Sequence, residues 1–153
     1  MVRAVAGILR GKATPFQVLM ACVLGAMIGF VPSLQAGAGT LVALILLLVV
    51  INANLALAAL VAGGAKLLSL AMMPVTFQVG RVLLDGPTSG LFRKAINAPG
   101  SALLGLEYYV TTGGIAMGLV IGLVLGLLVS GIVKKFRRVV ATYEAGSDAF
   151  KAF

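Results

Sequence analysis

Read for apolar and polar positions, the chain falls into four apolar runs at 16–30, 40–51, 55–80 and 108–133. Between the first two lies the stretch 24–40, LGAMIGFVPSLQAGAGT, in which Phe30 and Pro32 end one run and Gly37, Gly39 and Thr40 reopen the next. Thr14-Pro15 reads as an N-cap followed by proline in the first helical turn. At 1.5 Å per residue both short runs fall below the roughly 20 residues needed to cross a bilayer core. They predict a short broken helical hairpin over 15–51 that either re-enters its own side or just crosses. Freed backbone groups at such a break need partners inside protein or in a wet cavity. Asn52-Ala53-Asn54 supplies amides to cap helix ends. Beyond it, 55–80 and 108–133 are each long enough for a transmembrane helix, the first loosened by Gly63-Gly64 and kinked by Pro74. The interruption at 81–107 contains a turn at Asp85-Gly86-Pro87 and a short amphipathic helix over 91–96, capped by Thr88 or Ser89 and closed by Asn97 to Gly100. Tyr108-Tyr109 is placed for an aromatic belt.

Composition turns this pattern into a fold class. In a chain of 153 residues, 61% hydrophobic and 10% charged, with a mean hydropathy of +1.14, there is too little polar surface to cover a soluble globule. An all-α integral membrane protein is expected, folded as a single membrane domain over 1–153. Lys and Arg number 12 against 4 Asp and Glu, and the excess sits at the two ends, which points to topology rather than nucleic acid. Arg3, Arg10 and Lys12 make 1–13 a basic interfacial N-terminus, and Lys134-Lys135-Phe136-Arg137-Arg138 makes 134–153 a basic cytoplasmic tail. Both termini are then cytoplasmic, the number of crossings is even, and 81–107 is an extracytoplasmic loop. The last residues, 139–153, read as a surface tail.

Candidate chemistry is sparse. The chain has no His, and its one Cys22 lies in an apolar run, which excludes disulfide frameworks and Cys/His metal sites within one chain. No Ser/His or Cys/His pair, phosphate loop or paired carboxylate is visible. A non-enzymatic protein without a cofactor is expected. Lys66 stands near the middle of the 55–80 run, where a charge costs at least about 2.5 kcal/mol on insertion scales. None of Asp85, Glu107, Glu144 and Asp148 is placed to meet it at that depth. Its partners are to be sought among broken-helix carbonyls around 31–37, a wet cavity, a lipid phosphate or an acid on another protein, unless the amine is neutral. Around it, Gly25, Gly29, Pro32, Gln35, Gly37, Asn54 and Pro74 are candidate functional or packing residues. Gly114, Gly118, Gly122, Gly126 and Ser130 recur every four residues and so form one small-residue ridge on the last span. Such a ridge either packs inside the chain, against the Gly25/Gly29 face or the 55–80 helix, or receives a partner.

With Gly25-x-x-x-Gly29-Phe30-x-Pro32, Gly37 and the aliphatic run to Asn54-Leu55 in view, the chain resembles a bacterial inner-membrane family catalogued as a domain of unknown function. The likeness covers 15–80 and extends less clearly to the last span. Asn52 stands where that family places a basic residue, and Met73-Pro74 where it places Asn-Pro. The resemblance implies a bacterial cytoplasmic membrane location and brings no catalytic residue. The expected function is that of a small membrane subunit of a larger envelope assembly, in contact with membrane lipids and with a protein partner or further copies of itself, and handling lipid. The alternative is a small oligomeric transporter or channel for an anionic or polar solute, lined by Lys66 and the break.

Overall fold

A computed structural model describes residues 14–32, 38–99 and 101–151. The expected sites Gln35 and Gly37 and the basic stretch 1–13 lie outside these residues. Among the described residues the chain is all-helical, with six α-helices and one 3-10 turn. Helix α1 runs Pro15–Phe30. It starts where the sequence predicts, because Thr14 Oγ1 accepts from the Gln17 N–H at 3.2 Å while the Gln17 amide oxygen accepts from the Thr14 N–H at 3.0 Å, a reciprocal pair that satisfies two orphan donors. It stops at Val31, whose extended backbone (ψ 133°) is the conformation imposed on a residue that precedes proline.

Helix α2, Ala38–Val50, ends on Asn52, the single non-glycine residue with positive φ (52°) among the described residues. The Ala53 N–H reaches back to the Leu48 carbonyl at 3.2 Å, a left-handed termination that asparagine tolerates better than other side chains. That geometry explains an amide at the position where a basic residue was expected. Asn52→Val should lower stability by about 1–2 kcal/mol, whereas Asn52→Gly should leave it unchanged or raise it, as read by thermal unfolding in detergent.

Helix α3, Leu55–Ala71, begins where the Asn54 side chain accepts from the Leu57 N–H at 3.0 Å. The single helix expected over 55–80, kinked at Pro74, is instead two helices. After Met72 the chain turns by 86° into helix α4, Met73–Asp85. Pro74 carries no N–H and its ring excludes the carbonyl four residues back, so the helix cannot run through; both Thr76 groups, N–H and Oγ1, then close on the Met72 carbonyl at 2.9 and 3.0 Å. The segment expected as a loop is therefore largely helical, with α4 followed by α5, Ser89–Ile96, and the 3-10 turn Ser101–Leu103. Thr88 occupies the N-cap position of α5 without capping it, since its hydroxyl donates instead to the Leu83 carbonyl at 2.7 Å.

Helix α6, Tyr109–Lys151, has 43 residues and carries straight past the expected end at 133. Lys, Arg and Ala in 134–147 are good helix formers, so the basic cluster interrupts the apolar pattern without interrupting the helix. Its segment Tyr109–Phe136 is the one helix among the described residues that is long and apolar enough by itself to cross a membrane, and α3 with α4 passes the same test only as a bent pair.

Helix α1 is the axis of the packing, with α6 on one side and α3 on the other. Ala21, Leu24 and Val31 pack with Leu44 and Leu48 of α2. Ala26 and Phe30 pack with Ala65 of α3. Val18 meets Val133, which brings the start of α1 and the basic cluster of α6 to the same end of the bundle. The outer faces are aliphatic: Val42 and Leu46 of α2, Leu67 of α3 and Leu127 of α6 are all exposed.

Candidate functional site

The site grows from the end of α1. The helix ends at Phe30 with Val31 extended beyond it, and α3 passes close enough to serve the Val31 carbonyl. Closeness comes from glycine: a Cβ on Gly25 would stand 2.6 Å from the Ala58 carbonyl oxygen, and one on Gly29 2.6 Å from that of Ala62 and 2.9 Å from the Lys66 backbone nitrogen. With the backbones in contact, half-buried Lys66 extends past the end of α1 and its Nζ donates to the Val31 carbonyl at 3.2 Å. Of the partners considered for this amine, the broken-helix carbonyl is the one the structure places against it.

Around the amine lies a cleft of about 200 Å³ between the end of α1, the elbow joining α3 to α4, and the start of α6, lined by Phe30, Pro32, Ser69, Met73, Thr76 and Val110 among others. Ser69 Oγ donates to the Lys66 carbonyl at 2.9 Å, and the Thr76 hydroxyl is turned to Met72. An ammonium has three donors; among the described residues one is used, on Val31, which leaves two for an incoming oxygen. Chemically the cleft is one cation with spare donors set among apolar walls, an arrangement that receives an anionic or strongly accepting group.

The ridge on α6 has its own place. A Cβ on Gly114 would lie 2.6 Å from the Phe30 carbonyl oxygen, on Gly118 2.6 Å from Met27 Cα, on Gly122 2.6 Å from Val23 Cα, and on Gly126 2.6 Å from Leu19 Cδ1. All four face α1, on the side away from Gly25 and Gly29, so the ridge packs within the chain and is not open to a partner. Ser130 continues the register with a buried hydroxyl that meets no hydrogen-bond partner among the described residues.

A family model described as "Uncharacterized protein conserved in bacteria (DUF2062)" matches residues 3–141. The chain belongs to the DUF2062 family. No curated protein and no solved structure matches it. The matched segment of this DUF2062 chain takes in the Lys66 cleft, the whole glycine contact with α1 and the α4–α5 segment.

Of the expected residues, the structure brings Lys66 and Pro32 together in the cleft, with Gly29 directly beneath as the contact that permits it. Asn54 is a helix cap and stands apart from the cleft. Pro74 sets the elbow that forms one wall. Ser69, Thr76 and Val110 were not foreseen as neighbours. Ser69 was findable, three residues after Lys66 on the same helical face; Thr76 and Val110 arrive only through the bend. Tyr109, expected in an aromatic belt, donates its hydroxyl to Asp85 Oδ2 at 2.9 Å and stacks edge-on with Phe77 at 5.3 Å, which ties the start of α6 to α4. Among the described residues no group of three or more His, Cys, Asp or Glu is placed to hold a metal ion.

Proposed function

We propose that this chain is a non-enzymatic, multi-pass protein of the bacterial cytoplasmic membrane, with both termini cytoplasmic, that works as a small subunit of an envelope assembly and handles lipid. The observation that carries the reading is Lys66: an amine with spare donors in a cleft with mainly apolar walls, on a helix bundle whose outer faces are aliphatic. An anionic phospholipid matches both halves of that environment, its phosphate oxygens the amine and its chains the walls. The shared end of Val18 and Val133 agrees with an even number of crossings, and the basic cluster 134–138 supports a cytoplasmic side for that end. Since α1 covers the glycine ridge, a protein partner or second copy would dock on the outer faces of α2, α3 or α6.

Lys66→Met should reduce the anionic phospholipid retained by the purified protein about fivefold or more, the worth of one basic residue at a membrane surface, while Lys66→Arg retains it. Native mass spectrometry after mild detergent extraction gives the ratio, and equal retention by wild type and Lys66→Met would overturn the lipid role.

A second reading has one observation in its favour. The bond from Lys66 to the Val31 carbonyl puts a cation on the open end of a broken helix, the construction from which many transporters build solute sites. In that case the oligomeric protein carries an anionic or polar solute, and Lys66→Met abolishes flux in proteoliposomes; wild-type vesicles no leakier than empty ones would exclude it.

A further inference from the structure

A second concavity lies away from Lys66. The outer face of α2 and the segment that follows α5 enclose an open groove of about 940 Å³, lined by Gly39, Val42 and Leu46 on one side and by Ala95, Leu103 and Leu106 on the other. The walls stay together because the chain is pinned at the groove's end: Thr40 Oγ1 donates to the Leu104 carbonyl, and Gly39 lies so near the Leu103 carbonyl that no side chain fits between them. Ser101, the polar residue of the lining, has its hydroxyl turned inward onto the Ile96 and Ala98 carbonyls. Among the described residues of the lining, no other side chain carries a hydrogen-bond donor. The volume falls within the roughly 300–1,000 Å³ usual for ligand sites.

We propose that this groove seats an acyl chain of an anionic phospholipid, with the phosphate held by the basic residues of α5. Arg93 and Lys94 stand in the last turn of α5, immediately before Ala95, which lines the groove. Their charge complements a phosphodiester as the aliphatic lining complements a hydrocarbon chain. The groove opens onto the exposed aliphatic face of α2, at Val42 and Leu46, from which a chain enters sideways without crossing a polar barrier. The inference shares the membrane placement proposed above and is independent of Lys66.

The sequence contains no tryptophan, so Leu103→Trp, at an exposed position on the groove wall, introduces the single indole of the full-length protein. This variant is reconstituted in phosphatidylcholine vesicles containing a minor fraction of either phosphatidylglycerol or phosphatidylcholine with brominated chains. Brominated phosphatidylglycerol should quench the indole at a concentration about fivefold lower than brominated phosphatidylcholine. Arg93→Gln with Lys94→Gln should remove that preference, and Ala43→Phe, which fills the groove, should weaken quenching by both lipids. Equal quenching by the two lipids, or a preference that survives the Arg93/Lys94 double variant, overturns the proposal; so does quenching insensitive to either lipid together with a dimer by cross-linking, which would assign the groove to a second copy. Lys66→Met in the same background should leave the preference intact, so loss of the Lys66 lipid role and loss of the groove site are read separately. Failure to float with the vesicles would overturn both.

Discussion

Gly122→Leu should prevent the bundle from forming. A Cβ at this position already falls 2.6 Å from Val23 Cα and 3.0 Å from the Val23 carbonyl oxygen, both backbone atoms that no rotamer change can move. The remaining leucine atoms then require α6 to separate from α1 over the turns held by Gly118 and Gly126. Overpacking typically costs about 1–3 kcal/mol where side chains can yield, and here only whole helices can, so the loss should reach or exceed the upper end of that range. Thermal unfolding in detergent should show a large drop, accompanied by protease cleavage within α1 and α6. Gly131→Leu supplies the control, since a Cβ at Gly131 meets nothing within 4 Å; it lies one position off the ridge and should melt like wild type. If the two variants behave alike, the ridge does not pack on α1.

Gly113→Leu should release α4 without unfolding the rest. Gly113 approaches the Thr76 carbonyl and would place a Cβ 2.8 Å from the Gly80 nitrogen, while Gly80 in turn lies against the Tyr109 carbonyl. Two glycines thus form a mutual contact between α4 and the first turn of α6, reinforced by Tyr109 with Asp85 and Phe77. Leucine at 113 drives the helices apart there, whereas the α1–α6 contact begins one residue later at Gly114, on a different face of the helix. Amide hydrogen exchange should accelerate at least about tenfold across α4, as expected for a locally opened unit, with little change in 18–26 and 118–126. Uniform acceleration through the bundle would show that α4 is integral to its stability. Loss of α4 also removes Met73 and Thr76 from the Lys66 cleft, so on the lipid role proposed for that cleft anionic-lipid retention should fall together with the α4 protection.

Local signals in the sequence were read well where they act over three or four residues. Thr14 before Pro15, Asn54 before Leu55, and Asn97 after Ile96 each sit at a helix end. The small-residue spacing at 114–126 identified one face of α6, though it could not say which helix would cover it. What escaped detection depends on contacts far apart in sequence. Pro74 announces a kink, but an 86° turn is fixed by where α4 is anchored, and that is decided by Gly80 meeting Tyr109 and Gly113 meeting Thr76. The straight run of α6 past 133 was missed for another reason. Hydropathy reports the boundary of an apolar environment, and backbone hydrogen bonding is indifferent to it. At the candidate site the amine was conspicuous because a lone charge in an aliphatic run is unfavourable; its acceptor on Val31 depends on how closely Gly29 lets α3 approach.

The position of α1 between α3 and α6 also bears on how the chain is made. Among the described helices, the earliest in the chain is the one whose second side stays bare longest, because Leu19 to Phe30 wait for Gly126 to Gly114 far downstream. Until α6 leaves the ribosome, α1 can be held by α2 and α3 alone, and half of its small-residue surface has no partner. Contacts of such long sequence separation form late and slowly, and intermediates that expose unpaired surfaces are prone to wrong associations. A chain truncated after α5 should therefore leave Val23, Met27 and Phe30 without the cover that α6 provides.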